Sequence, residues 1–507
     1  MSLIAAFKNS VLRNPTKIAI AFGEQSWTYA EFDRLTDNIA RNILAAGVEP
    51  GDRVALHLQN GPDLAMGCIG CLKAGCILVP INTRLKGREI DYILRQSGSA
   101  FYVGQPDLFA GINETCPALS ALHGRYFTED MSGGMDSFAG LLRTPSHTEP
   151  LPEIESDQVA AIMYTSGTTA RPKGVVHSHE SLAQTARMMR HMHFDEDQVG
   201  LMMSSMTHMV AFGMLFLSAL QSGATTVITR PFEFQSSLDA IARWRCTYIF
   251  GLPVLLKLLL ETQLSAPRDV TSGRFSFCGG DSVPPALQEA FQRSFSPICE
   301  AYGATEIAPM SWNRPDEIRV GSIGKPCDEV ELRLVDSRGS DVEPGQIGEI
   351  YVRGPHLMKG YWQDADATTA AFDKGWFRTG DLGRQDAEGY YWFAGRKKEI
   401  IIRGGSNISP QEVEAVLHEH PSVAEAAVVG HPHPIWGESV VAHVVLLPGH
   451  HLEETELIAF ARERLAEYKV PETVVFRSDL PRSPTGKIQR RELREEQQAP
   501  AAGLAAV

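Results

Sequence analysis

Short apolar runs alternate with amphipathic, helix-period stretches along most of the chain, the pattern of buried strands joined by helices. Phe22 to Leu35 gives a short strand, a turn at Gly23-Glu24, and Thr28-Tyr29-Ala30-Glu31, whose Thr-x-x-Glu spacing is a capping box. The helix it opens places Phe32, Leu35, Ile39, Ile43 and Leu44 on one face and is closed by Gly47. A strand at Gly51 to Leu58, a helix through Leu72 and a strand at Cys76 to Pro80 follow, a spacing that implies a parallel sheet with right-handed crossovers. Val159-Ala160-Ala161-Ile162-Met163 predicts another buried strand, and Ser181 to Met192 a helix. Three further strand-then-helix units are expected from Thr247, Phe275 and Ile298, the last leading into Tyr302-Gly303-Ala304. From about Glu329 the pattern changes to short alternating strands such as Gly348 to Gly354, a small β subdomain. Past the charged Gly395-Arg396-Lys397-Lys398-Glu399, Ser409 to Leu417 opens a helix in a last unit of about a hundred residues.

Leu201 to Leu220 is apolar enough to consider as a membrane span. Ser204, Ser205, Thr207 and His208 would be stranded in lipid, so a buried segment is expected instead. At 507 residues, 43% hydrophobic and 21% charged, the chain reads as a soluble protein of about two to four domains. Its formal charge of -14 argues against general binding to nucleic acid or anionic membranes. An anionic ligand remains open to it, because local donors override the global field within a Debye length of roughly 8 Å. Met1 to Asn14 lacks the apolar core and cleavage site of a secretory signal, and eight cysteines are too few for a disulfide scaffold. Cys68, Cys71 and Cys76 therefore read as buried reduced thiols in a cytoplasmic protein.

The stretch that changes the picture is Tyr164-Thr165-Ser166-Gly167-Thr168-Thr169-Ala170-Arg171-Pro172-Lys173-Gly174. It leaves the end of a predicted buried strand, its glycines let successive amides turn toward one point, its hydroxyls add donors, and Lys173 adds a positive charge. Phosphate suits such a loop, although no Gly-x-x-x-x-Gly-Lys-Ser/Thr register fits it. Alone it reads more readily as a solvated turn. Ala301-Tyr302-Gly303-Ala304-Thr305-Glu306, Arg378-Thr379-Gly380-Asp381 and Pro484-Thr485-Gly486-Lys487 turn that balance.

With these motifs in this order, from about Trp27-Thr28-Tyr29 to Lys487, the sequence resembles the AMP-forming adenylating enzymes: acyl-CoA synthetases, adenylation domains and luciferases. The resemblance implies an α/β fold with a large N-terminal domain of parallel-sheet subdomains plus a small β subdomain, residues 1–397. A small mobile α+β C-terminal domain, residues 398–507, would hinge at Lys398. It further implies that Thr165, Ser166, Gly167, Thr168, Thr169 and Lys173 hold the β- and γ-phosphates of ATP, that Thr305 contacts the α-phosphate, and that Glu306, with Thr165, binds Mg²⁺. Tyr302 would offer a flat face for the adenine, Gly280 and Gly303 would belong to the nucleotide site, Asp381 would take the ribose hydroxyls, and Arg396 would lie at the ribose and phosphate edge. Lys487 would bridge carboxylate and α-phosphate in the first half-reaction. Gly404 and Gly405 would flank the pantetheine of CoA, and Trp436 matches a tryptophan that stacks on its adenine in some relatives, though it reads nearly as well as a core aromatic.

The acid pocket is expected from His208, Met209, Phe212, Gly279, Ala301 and Ala304; His208 matches a family histidine that lines the carboxylate end, though as a lone histidine in an apolar run it also reads as a core residue. Apolar and small, without an obvious arginine for a second carboxylate, the pocket favours a fatty or aromatic monocarboxylic acid. Pro80-Ile81-Asn82-Thr83-Arg84-Leu85 also resembles a family motif, with a structural role expected. The sequence departs from the family at Ala170 and Ala301, where glycine is usual, and at Asp281, which leaves the adenine-edge contacts open. Two acceptors remain open as well: CoA, or the phosphopantetheine of a carrier protein. A catalytically silent nucleotide-binding protein is disfavoured, because Lys173, Glu306, Asp381 and Lys487 are all intact. The partners expected are thus small molecules, with neither nucleic acid nor an integral membrane segment, and a homodimer is left open.

Overall fold

Six parallel strands followed by an antiparallel return occur twice in the first part of the molecule. The computed structural model describes residues 1–128, 136–145, 149–165, 172–281, 283–403, 406–483 and 486–496. The chain divides into two units, one of Met1–Val320, Gly324–Glu331 and Arg353–Phe377, the other of Gly321–Ile323, Leu332–Val352 and Arg378–Val507.

In the first unit, one sheet sets Ile18–Phe22, Thr225–Ile228, Val199–Met202, Tyr248–Gly251, Phe275–Gly279 and Ile298–Ala304 side by side, all parallel. Ile307–Trp312 then turns back antiparallel on the last of these. The other sheet sets Asp136–Ser137, Gly124–Phe127, Phe101–Gly104, Arg53–His57, Ile77–Pro80 and Val159–Thr165 in parallel. Here Lys173–Ser178 turns back, and Gly360–Tyr361 pairs antiparallel with it. The third expected strand-then-helix unit is therefore a hairpin. The run after Glu306 has six residues, all buried, so it extends the sheet rather than covering it as an amphipathic helix would.

The sheets are buried from both faces, which is why their strands read as continuous apolar runs. Leu201, Val227, Ile249, Leu256, Leu259 and Phe291 pack one core, and Ala55, Val79, Ile90, Tyr102, Phe127 and Ile162 another. The capping box is present: Glu31 N donates to Thr28 Oγ1 at 3.2 Å and Thr28 N to Glu31 Oε2 at 2.8 Å, opening the helix Tyr29–Ala45. Gly47 lies one residue past the Ala46 cap, in the left-handed region with φ +90°. Lys73 is buried between Asp33 and Asp37, 2.6 Å from each, so that helix Pro62–Lys73 is tied to Tyr29–Ala45. Leu201 to Leu220 divides into the end of strand Val199–Met202, a π-helix at Val210–Leu217 and the helix Ser218–Ser222. Among the described residues no helix is long and apolar enough to cross a membrane. All eight cysteines are buried and unpaired, with burial pushing the Cys76 thiol up to about 12.

The second unit carries two sheets. One has the order Glu331–Val335, Gly348–Arg353, Trp376–Gln385, with Tyr391–Arg396 antiparallel to the last. The other is built on the long hairpin of Val423–His433 and Gly437–Leu446; Thr473–Arg477 pairs parallel, and Ile401–Arg403 antiparallel, with Gly437–Leu446. Helices Pro410–His418 and Glu454–Arg462 contribute Val413, Leu417, Leu457 and Ala461 to a core with Val428, Val440 and Val444. The α/β class and the large and small parts expected from sequence are present.

Candidate active site

The apolar strand Val159–Thr165 and the return strand Lys173–Ser178 form a hairpin in which Thr165 stands directly across from Lys173. Of the sequence-predicted phosphate loop between these strands, Ser166, Gly167, Thr168, Thr169, Ala170 and Arg171 lie outside the described residues. The described residues on either side of it are anchored. Tyr92 in helix Gly87–Ser97 donates its hydroxyl to the Pro172 carbonyl at 3.2 Å, and Gln96 of the same helix accepts from the Tyr164 hydroxyl. Gln96 also donates to the Trp362 carbonyl at 2.7 Å.

The second motif occupies the other hairpin, where Ala304 pairs with Ile307 and Thr305-Glu306 make the turn. Two links join it to the first. His177, on the strand that follows the phosphate loop, lies with Nε2 2.8 Å from the Thr305 carbonyl. A carbonyl only accepts, so Nε2 carries the proton and donates. Burial pushes this imidazole down to about 4, which keeps it neutral at ordinary pH. The second link is the segment Met358–Trp362: Met358 N donates to the Glu306 carbonyl and Lys359 N to the Val176 carbonyl, both at 2.8 Å.

Tyr361 in this segment closes the group. Its hydroxyl donates to Glu306 Oε1 at 2.8 Å, and the Lys173 ammonium sits 4.6 Å from its ring centroid. Burial, with the Glu306 carboxylate beside it, raises the phenol well above its ordinary range, so it remains a donor. Thr165, Lys173, Thr305 and Glu306 are thus gathered at the tips of two hairpins from two sheets. Glu306 and Thr165 carry a carboxylate and a hydroxyl, the hard oxygen donors Mg²⁺ selects when its remaining ligands are water and phosphate. The residues present fit the ion.

Among the residues expected to line the acid pocket, Gly279 pairs with Ala301 in parallel register, so close that a Cβ there would lie 2.4 Å from the Ala301 carbonyl oxygen. Gly280 follows with φ +88°, a conformation that favours glycine. Tyr302 pairs with Ser311, and Gly303 is exposed beside half-buried Ala304. His208 precedes the π-helix, its Nε2 3.2 Å from Asn82 Nδ2. Met209 is buried and folds toward Gly213, where a Cβ would lie 2.7 Å from its terminal methyl. Phe212 is fully buried against Phe216, at the end of an aromatic chain that runs through Phe32 to Phe7.

In the second unit Asp381 and Arg396 face each other across adjacent strands, 3.3 Å between Arg396 Nε and Asp381 Oδ1. Thr379 Oγ1 accepts from Asp381 N at 3.0 Å and donates to the Ile350 carbonyl at 2.7 Å, which braces the strand where Asp381 stands. Lys398 lies between strands Tyr391–Arg396 and Ile401–Arg403. Lys487 closes a small loop in which Ser483 N donates to its carbonyl at 2.7 Å and its own N to Ser483 Oγ at 3.2 Å. Gly486 beside it has φ +88°. Trp436 is not a core aromatic: it is 49% exposed, in the turn of the long hairpin with His433 and Ile435. Gly404 and Gly405 lie outside the described residues, as do Pro484 and Thr485.

Three residues were missed from sequence: Tyr361, His177 and Asn82. Asn82, whose motif was expected to be structural, accepts from Arg84 N at 2.9 Å and reaches His208, which is 126 positions away. Only their side-chain chemistry beside a recognisable motif could have drawn notice.

The sequence profile of the AMP-binding enzymes matches residues 7–362, and that of the AMP-binding enzyme C-terminal domain residues 412–487. The chain is 36% identical over 489 residues to an indoleacetate–CoA ligase of Aromatoleum aromaticum, covering 95% of each chain. It is 36% identical over 485 residues to a feruloyl-CoA synthase of an Amycolatopsis species, covering 95% of this chain and 96% of that one. Among solved structures, the anthranilate CoA ligase AuaEII in complex with anthranoyl-AMP superposes with a TM-score of 0.92 at 28% identity, covering 99% of this chain and 98% of that one.

Proposed function

Since this chain belongs to the AMP-binding enzymes and is an AMP-forming acyl-CoA synthetase, we propose that it activates an aromatic monocarboxylic acid as its adenylate and passes the acyl group to CoA. The observation that carries this reading is the meeting of Lys173 and Glu306 on Tyr361, with Thr165 across from Lys173. A cation and a carboxylate meet there, with a threonine paired beside the lysine, a set that suits a triphosphate with a divalent ion. The choice of an aromatic acid is supported by relatives named for indoleacetate, ferulate and anthranilate, and by the small residues Gly279, Ala301 and Ala304. A fatty acid is the runner-up.

In the first half-reaction a carboxylate oxygen of the acid attacks the α-phosphorus and pyrophosphate leaves, giving the acyl adenylate. Two anions must meet, so the protein's part is positioning and neutralisation. Lys173 and the phosphate loop take the β- and γ-phosphates, Thr305 the α-phosphate, and Asp381 the ribose hydroxyls. Arg396 holds Asp381 in place at the ribose edge, while Tyr302 and Gly303, with Gly280, flank the adenine. Lys487 supplies the charge between carboxylate and α-phosphate. Mg²⁺, held by Glu306 and Thr165, would neutralise the phosphate oxygens when bound. His208, oriented by Asn82, lies at the carboxylate end, with Met209 beside it and Phe212 behind.

In the second half-reaction the CoA sulfur attacks the acyl carbonyl, its proton passes to solvent, and the mixed anhydride breaks to release AMP. The same site needs a different neighbour for this step, so residues 398–507 turn about Lys398 as a lid on the 1–397 body. Gly404 and Gly405 then line the pantetheine path, and exposed Trp436 stacks on the CoA adenine. The test is pyrophosphate release over a panel of aromatic and straight-chain acids, with CoA or holo-carrier protein as acceptor and the thioester identified by mass. An aryl-CoA thioester is expected. Turnover only of straight-chain acids, or thioester only on the carrier, would overturn the assignment.

A further inference from the structure

We propose that Tyr361 is a positioning residue with two separable tasks: its hydroxyl sets the Glu306 carboxylate for the divalent cation, and its ring sets the Lys173 ammonium for the phosphates of ATP. The inference rests on the reading above, in which Glu306 and Lys173 serve Mg²⁺ and ATP.

One side chain can serve two opposite charges because its two ends differ in polarity. The ring face carries negative quadrupole density and attracts the ammonium, which lies 4.6 Å from the centroid. The hydroxyl, at the edge of the ring, donates to Glu306 Oε1 at 2.8 Å. A donor on one oxygen fixes the plane of the carboxylate, as the partners of metal ligands generally do.

The backbone beneath Tyr361 is held from several directions. Gly360 and Tyr361 pair with Val176 and Val175 on the strand that carries Lys173. Tyr361 N donates to Thr368 Oγ1 at 2.9 Å, and Trp362 N to the Gly174 carbonyl at 2.7 Å. Met358 N donates to the carbonyl of Glu306 itself. The phosphate hairpin and the acidic hairpin are thereby given a common reference, and the position of one charge is referred to the other through a single ring.

The two tasks come apart by substitution. Tyr361→Phe keeps the ring under Lys173 and removes the hydroxyl; Tyr361→Leu removes both. The readouts are binding, without turnover: ATP by calorimetry in EDTA, then Mg²⁺ titrated into protein saturated with ATP. For Tyr361→Phe the Mg²⁺ affinity should fall about tenfold. Its metal-free ATP affinity should stay within about twofold of the unaltered protein, because the cation–π contact survives. Tyr361→Leu should show the same Mg²⁺ loss and a further loss of about threefold in metal-free ATP binding. Unchanged Mg²⁺ affinity in Tyr361→Phe overturns the inference, and so does equal loss of metal-free ATP binding in both variants. Should Tyr361→Leu not fold, the two measurements on Tyr361→Phe decide. Failure of the unaltered protein to bind ATP would instead overturn the reading of the site, and this inference with it.

Discussion

Replacing His177 by leucine asks how much of nucleotide activation depends on holding the Thr305–Glu306 turn against the phosphate hairpin. The imidazole is fully buried, Nε2–H donates to the Thr305 carbonyl at 2.8 Å, and Nδ1 lies 3.2 Å from Ser181 Oγ. Leucine fills a similar volume with no donor, which leaves the carbonyl without its imidazole partner at a cost of about 1–3 kcal/mol. Expressed as misplacement of Thr305 in the transition state, that is roughly a fivefold to 150-fold fall in kcat/KM for ATP. The assay is pyrophosphate release against ATP at saturating acid, run beside urea unfolding of the same preparation. His177→Gln, which retains a side-chain N–H, should recover part of the lost kcat/KM. Unchanged kcat/KM for ATP in a destabilised His177→Leu protein would refute the reasoning and leave this histidine a packing residue.

Lys487→Ala should suppress adenylation while sparing thioester formation from preformed acyl-AMP; equal loss of both steps would defeat that division of labour. Asn82→Ala should lower kcat/KM for the acid by about threefold to tenfold with kcat/KM for ATP at fixed acid altered in the same ratio or less, since one hydrogen bond to His208 is lost. Acid should destabilise the fold over a defined window. Burial holds His57, His177, His179 and His356 near 4 against an ordinary 6.5. Between those values the unfolded chain binds more protons, so stability is complete above about pH 6.5 and declines toward pH 4, by up to ~3 kcal/mol per histidine. A urea midpoint that stays constant from pH 7 to about pH 4.5 would contradict this.

What the chain disclosed in advance was what chain order can encode. The capping box at Thr28 and Glu31, the buried strands at Val159 and Phe275 and the order of the motifs are local features, read from neighbours in sequence. The hairpin after Ala304 was not legible, because a six-residue apolar run has no period that separates a returning strand from a short buried helix. The π-helix at Val210–Leu217 was hidden for the same reason: its residues are apolar on every side. Tyr361 and Asn82 were missed because each touches a partner dozens of positions distant, a relation that exists only once the two sheets are assembled.

The most direct test of an acyl-adenylate route is the fate of one oxygen. With an aromatic acid labelled with ¹⁸O in its carboxylate, plus ATP, Mg²⁺ and CoA, the attacking oxygen stays on the α-phosphorus when the thiol displaces AMP. Mass spectrometry should find one ¹⁸O in AMP for each thioester formed and none in pyrophosphate. Unlabelled AMP, or label in inorganic phosphate alongside ADP, would contradict it.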